Sequence, residues 1–148
     1  MTHCFSSPIG VVRITEADGF IIRIELTDAA DISTAPTLLL REAEHQITAF
    51  LRGDRRQLDF PIRMVGTPFQ QRVWRALLQI PYGTTRTYGE IATAIGNPRA
   101  SRAVGMACNK NPLLLIVPCH RVVGANGNLT GFAYGTDAKR WLLELEIE

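Results

Sequence analysis

The spacing of apolar residues changes character along this chain, and that change demands a fold built from two kinds of element. Apolar and β-branched residues first crowd two short runs, Ile9–Ile14 and Phe20–Leu26, separated by Ala17-Asp18-Gly19. An Asp-Gly pair between such runs signals a hairpin, because both positions tolerate the positive φ of a tight turn. Residues 3–27 are therefore expected as strands. From Leu39 the interval becomes helical: Leu39, Leu40, Ala43, Ile47, Phe50 and Leu51 recur at three- and four-residue steps until Gly53 stops them. A short strand over Leu58-Asp59-Phe60 is expected before Pro61. Residues 1–61 read as a small α/β lobe, with 62–66 as a connector.

Residues 62–148 read as a second, mainly helical lobe. Thr67 and Pro68 open a helix carrying Phe69, Val73, Trp74, Leu77 and Leu78, which ends before Pro81-Tyr82-Gly83. Thr87-Tyr88-Gly89-Glu90 has the capping-box form, with a glutamate three residues after a threonine. The short helix it launches stops at Gly96. Asn97-Pro98 then predicts an N-cap and first-turn proline for a helix over 98–108. Two short helices around a Gly-containing turn form a helix-turn-helix pattern. On the second of them Ala103, Val104 and Ala107 are expected to pack inward, while Arg99 and Arg102 face a partner.

Charge says what kind of partner. The net charge is only +2, yet residues 1–61 hold six Arg against nine Asp/Glu, whereas residues 62–140 hold ten Lys/Arg against Glu90 and Asp137. A positive half of this kind points to a polyanion. No apolar run approaches the ~18 residues of a membrane span, and no basic head with an apolar stretch opens the chain. Three cysteines, Cys4, Cys108 and Cys119, fit a reducing, cytoplasmic setting with free thiols. His3, Cys4 and His45 are too scattered for a zinc site, so neither metal nor cofactor is expected.

Chemistry is concentrated at Pro118-Cys119-His120-Arg121, behind the apolar run Leu113–Val117. The run reads as a buried strand that ends at the proline and exposes a thiol beside an imidazole. A cysteine near a strand is often only a small core hydrophobe. A thiolate with a neighbouring base is instead a nucleophile.

Ile116–Gly124 around that cysteine, together with Asn111-Pro112 before it and Leu129-Thr130-Gly131-Phe132 after it, resembles the O6-alkylguanine-DNA alkyltransferases. The resemblance extends over Ile80–Gly83, Thr87–Ala92, Ala100–Gly105 and Trp141–Glu146, from about Thr67 to the C-terminus. It implies a ribonuclease-H-like α/β lobe in residues 1–61, matched there only in general character, and an alkyltransferase and DNA-binding domain in 62–148. It also implies a reaction. An O6-alkylated guanine, with O4-alkylthymine as a further substrate, is flipped from duplex DNA and its alkyl group passes irreversibly to the protein's own cysteine. Each molecule acts once.

By the resemblance, Cys119 is the acceptor and His120 is its base through a bound water, since adjacent side chains on an extended backbone point apart. Glu146 orients the histidine, Asn111 braces the nucleophile's turn, and Tyr88 donates to the guanine ring. At ~100° per residue Glu146 lies about 40° from Leu142, near the stripe of Ala138, Trp141, Leu142 and Leu145, while Glu144 faces solvent. Arg102 is the finger that fills the gap left by the extruded base. Ala100, Ala103 and Gly105 allow close approach to the minor groove, with Thr87 and Arg99 also on DNA. Val122, Leu129, Thr130, Gly131 and Phe132 line the base pocket with Tyr88, the Thr130 hydroxyl serving as a donor to O6. Cys108 and Asn109 depart from the Met-Arg pair of some relatives. The expected molecule is a cytoplasmic monomer that can assemble cooperatively on DNA. The competing readings are a non-catalytic module that flags lesions and an unrelated Cys-His hydrolase or transferase.

Overall fold

The computed structural model describes residues 1–28, 35–129 and 131–147. The chain divides into two compact units, Met1–Val65 with Pro112–Leu114, and Gly66–Asn111 with Leu115–Glu148.

In the first unit, β1 (Thr2–Ser7), β2 (Gly10–Ala17) and β3 (Phe20–Thr27) form an antiparallel sheet in that order. Ala17 pairs with Phe20 across a two-residue turn in which Asp18 and Gly19 have φ of 54° and 82°. Those positive angles suit the right-handed twist of the flanking strands. Helix α1 (Leu38–Leu51) starts where the Thr37 hydroxyl accepts the Leu40 N–H at 3.1 Å. It packs on all three strands, burying Leu40, Ala43, Ile47 and Phe50 in the same core as Val12, Ile14, Ile21 and Ile24.

The strand expected over Leu58–Phe60 does not form. The buried Gln46 amide of α1 takes its place: it accepts the Asp59 N–H at 2.9 Å and donates to the Asp59 carboxylate at 2.6 Å. A side chain thus satisfies backbone that a ladder would otherwise have claimed. Pairing resumes only at Ile62, which bridges Ile21.

The second unit contains α2 (Pro68–Leu77), β4 (Arg86–Thr87), α3 (Tyr88–Ala94), α4 (Ser101–Asn109), β5 (Val122–Val123) and α5 (Thr136–Ile147). Complete capping boxes start α2, through Thr67 and Gln70, and α3, through Thr87 and Glu90. Helices α2, α3 and α4 pack against one another. Trp74 anchors the group: it is buried and its indole N–H donates to the Ala107 carbonyl at 2.9 Å. Replacing it with alanine would cost about 3–5 kcal/mol.

The turn between α3 and α4 is longer than the sequence predicts. Gly96, at φ 82°, ends α3, but Asn97-Pro98 does not cap the next helix. Asn97 accepts the Ala100 N–H at 3.0 Å, closing a turn through Pro98 and Arg99, and α4 starts only at Ser101. Asn and Pro favour both jobs, and here the turn prevails. Val104 and Ala107 are buried as expected, whereas Ala103 is exposed beside Arg102. Among the described residues, no helix is long and apolar enough to cross a membrane.

Candidate active site

The apolar run before the cysteine is not a strand. Its start pairs briefly, Leu113 bridging Ile24, and the backbone then turns at Leu115, whose φ is 75°. That conformation is rare for a branched residue and is held from outside. Asn111 donates its backbone N–H to the Cys108 carbonyl at 3.2 Å, and its side-chain amide donates to the Val117 carbonyl at 2.8 Å. The same amide reaches the Cys119 sulfur at 3.2 Å.

Cys119, His120 and Arg121 then make a single 3-10 turn rather than extended chain, closed by the Arg121 N–H on the Pro118 carbonyl at 3.0 Å. The turn buries all three side chains. The thiol is thus not exposed as the sequence suggests; Cys119 retains 4% of its surface. Immediately beyond, Val122-Val123 of β5 pairs in parallel with Arg86-Thr87 of β4. Because α3 begins at the next residue, this short pairing holds Tyr88 in the neighbourhood of the nucleophile's turn.

On the imidazole side the Glu146 carboxylate is bonded on both oxygens. His120 is fully buried and its Nε2 sits 2.6 Å from Glu146 Oε2. Arg121 grips the same carboxylate with Nε on Oε1 at 2.8 Å and Nη2 on Oε2 at 2.9 Å, while its Nη1 donates to the Ile80 carbonyl at 2.9 Å. The Gly83 N–H adds a bond to Oε1 at 3.0 Å. Glycine is required there, since φ is 77° and a Cβ would lie 3.2 Å from the Glu146 carbonyl. Burial alone would raise the Glu146 carboxyl, but the hydrogen bonds from His120 and Arg121 outweigh it and hold the group at about 2. Burial pushes the His120 imidazole down despite the carboxylate beside it. His120 Nδ1 is buried with no hydrogen-bond partner among the described residues. With the Nε2 proton directed to Glu146, Nδ1 is the nitrogen left to accept one.

On the thiol side burial prevails. Burial raises the Cys119 thiol, against the lowering effect of the Asn111 amide and the Lys139 charge. Burial and the charge of Cys119 also raise the buried Cys108 thiol. Lys139 is fully buried and its ammonium donates to the Tyr88 hydroxyl at 3.3 Å. Burial pulls its pKa down, while thiolate at Cys119 or Cys108 would pull it up. The Tyr88 phenol is raised, first by burial and then by the two thiols.

Sequence reasoning overlooked Lys139 and the grip of Arg121. On α5, Leu142 and Glu146 are buried and Glu144 is exposed as expected, but Lys139 is buried too, while Ala138, Trp141 and Leu145 are only half-buried. Two charged residues seven apart, with a leucine between them on the same face, were the available signal. It is an ambiguous one, because charged residues are rarely interior unless paired.

Toward the surface lies a hollow of about 440 Å³ lined by Thr87, Tyr88, Gly89, Ser101, Arg102, Gly105, Ala125 and Gly131. Gly131, at φ 92°, lies where any Cβ would run into the Tyr88 hydroxyl. Arg99, Arg102 and Ala103 are exposed, and Ala100 and Gly105 partly so. Of the remaining expected lining, Val122 and Phe132 are buried and Leu129 is half-buried. Thr130 lies outside the described residues. Among those described, no cluster of His, Cys, Asp and Glu would hold a metal ion.

A buried thiol within reach of an amide, in the same turn as a histidine–carboxylate pair, suits a protein that reacts through cysteine, and exposed arginines on and beside α4 suit a polyanion. Comparisons specify the family. The family model for the DNA-binding domain of 6-O-methylguanine DNA methyltransferase matches residues 68–148. A methylated-DNA–protein-cysteine methyltransferase of Methanosarcina acetivorans is 48% identical over 148 residues, covering 96% of this chain and 95% of the relative. A structure of the Mycobacterium tuberculosis O6-methylguanine methyltransferase superimposes with a TM-score of 0.89 at 43% identity, covering 99% of this chain and 93% of that one. The OGT of the same organism in complex with DNA matches with a TM-score of 0.89 and 43% identity, over 99% and 92%. The chain belongs to the methylated-DNA–protein-cysteine methyltransferase family, and its function is DNA repair by transfer of an alkyl group to cysteine.

Proposed function

We propose that this protein binds duplex DNA through α4 at the minor groove, extrudes an O6-alkylguanine into the hollow beside Tyr88, and takes the alkyl group onto Cys119. Arg102 fills the space vacated in the stack, offsetting part of the few kcal/mol that extrusion costs. Exposed Ala103 and the small Ala100 and Gly105 let the backbone of α4 approach the groove closely, with Arg99 and Thr87 on flanking phosphates.

The Cys119 proton passes through a water molecule to His120 Nδ1, and the imidazolium so formed is stabilised by Glu146, itself fixed by Arg121 and Gly83. The Asn111 amide and the Lys139 ammonium stabilise the thiolate. Sulfur attacks the sp3 carbon, an S–C bond forms as the C–O bond breaks, and the electron pair leaves with guanine. Tyr88 donates a hydrogen bond to the purine, countering the charge of the leaving group, while Val122, Leu129, Gly131 and Phe132 enclose the ring. A thioether has no good leaving group, so each molecule reacts once. O4-alkylthymine presents the same O–C bond and is the expected minor substrate. The setting is a reducing cytoplasm, where the thiols persist, and the protein acts as a monomer that can assemble along DNA.

The observation that carries this reading is the arrangement around the thiol: an amide on the sulfur at 3.2 Å and a buried imidazole whose second nitrogen is held by Glu146 at 2.6 Å. Intact mass after incubation with a duplex containing O6-methylguanine tests it. The expected result is one added methyl, mapped to Cys119, with no turnover beyond one equivalent. Binding without a mass change would instead identify a module that only marks lesions.

A further inference from the structure

A second hollow, of about 560 Å³, opens on α4 next to the first and is lined by Arg102, Gly105, Met106, Asn109, Lys110 and Gly131. It shares Arg102, Gly105 and Gly131 with the hollow beside Tyr88, so the two form one continuous face. Its distinguishing residue is Met106, 69% exposed in the middle of a helix whose opposite face is closely packed. An isolated exposed methionine needs no explanation. Here, however, Arg102, Met106 and Lys110 recur at four-residue intervals and form one row. The lining has two cations and no acid, so the surface around the thioether complements a polyanion. Neither cation is near a carboxylate among the ion pairs of the described residues.

Building on the proposed docking of α4, the geometry points to Met106 as a second wedge in the minor groove, one turn of helix from Arg102. Four residues of helix span about 6 Å, close to two base steps of 3.4 Å. The wedge therefore meets the duplex about two steps from the extruded nucleotide. Methionine is among the apolar residues that partly unstack a step from the minor-groove side, and its unbranched thioether fits an irregular gap. Lys110, at the C-terminal end of α4, takes the phosphate beyond it. The consequence is a context preference: lesions flanked at that distance by an easily unstacked pyrimidine–purine step bind better than those flanked by stiff A-tract. No base-edge hydrogen bond is involved.

The test uses the full chain and duplexes bearing O6-methylguanine with 2-aminopurine two steps away on either side. Wild-type protein is expected to raise 2-aminopurine fluorescence on one side. Met106→Ala should abolish that rise and weaken duplex binding about five- to tenfold, the scale of one lost unstacking contact. Reaction with free O6-benzylguanine should be unchanged, and Met106→Leu should restore most of the signal. The side chain is exposed, so its removal leaves the fold intact. Unchanged fluorescence and affinity in Met106→Ala, with Arg102→Ala still slowing duplex repair, would overturn the wedge and leave the docking in place. If neither substitution affects duplex repair, α4 is not the DNA face and the docking itself fails.

Discussion

The two sides of the Cys119 turn differ in how the effect of burial is countered. Around Glu146, both carboxylate oxygens are occupied by His120, Arg121 and the Gly83 N–H. Around Cys119, an amide at 3.2 Å and a lysine shared with Tyr88 leave the thiol raised by its burial. A carboxylate gripped by several charge-assisted hydrogen bonds is fixed in geometry. The Glu146 carboxylate is thereby held in place beside the His120 imidazole. On the proposed function, chemistry and delivery are separate: Cys119, His120 and Glu146 are buried in the second unit, and Arg99 and Arg102 are exposed beside and on α4.

The strongest break between the two sides comes from the sulfur. Cys119→Ser should abolish transfer while duplex affinity is retained, because a hydroxyl beside a neutral imidazole is a far weaker nucleophile toward an sp3 carbon than thiolate. A fluorescence-anisotropy titration and a mass measurement on the same duplex check it. Loss of binding along with transfer would mean that the thiol is part of the docking surface.

Next in size is the carboxylate. Glu146→Ala leaves Arg121 buried without its counter-charge, which is expected to cost about 3–5 kcal/mol of stability, measured by urea unfolding. The wild-type chain should show the same network in its pH dependence. Glu146 is depressed to about 2, so its contribution is complete above the unfolded value of ~4.5 and is lost as pH falls toward 2. His120 is depressed as well, and a base held neutral in the fold favours unfolding once pH drops below its unfolded value of ~6.5. Both groups act in the same direction. Stability should decline in acid from about pH 6.5, and a flat profile between pH 6.5 and 4 would show that His120 ionises without cost.

What the sequence reveals divides along the same line. The hairpin, α1 and the Thr87 capping box are local, each set by residues within four or five positions, and they are readable without tertiary structure. The Leu113–Val117 run misleads because apolar content reports burial and not conformation. Its turn is imposed by Asn111, whose bond to Val117 depends on the fold of the whole loop. Leu58–Phe60 fails for the same reason, since Gln46 holds Asp59 from thirteen residues away. Cys119, His120 and Asn111 are legible through their motif. Lys139 is not: a lysine on an amphipathic helix ordinarily faces solvent, whereas here it is buried with its ammonium on the Tyr88 hydroxyl.

The smallest effect lies at Thr87, in the strand that pairs with β5 just beyond the Cys119 turn. Its hydroxyl accepts the Glu90 N–H at 3.0 Å, and the Glu90 carboxylate returns a bond to the Thr87 N–H at 2.9 Å, so the start of α3 is fixed directly before Tyr88. Thr87→Ala should remove about 1 kcal/mol of stability, while Thr87→Ser, which retains the accepting oxygen, should lose only a fraction of that. Because Thr87 also lines the hollow, activity separates its two roles. If the threonine only caps, repair rates for the two variants follow their stabilities, and the serine variant repairs at the wild-type rate. If the hydroxyl also holds a phosphate, the alanine variant should lose duplex affinity while reaction with the free base stays unchanged. A loss in both reactions would place the fault in Tyr88, displaced when the first turn of α3 frays.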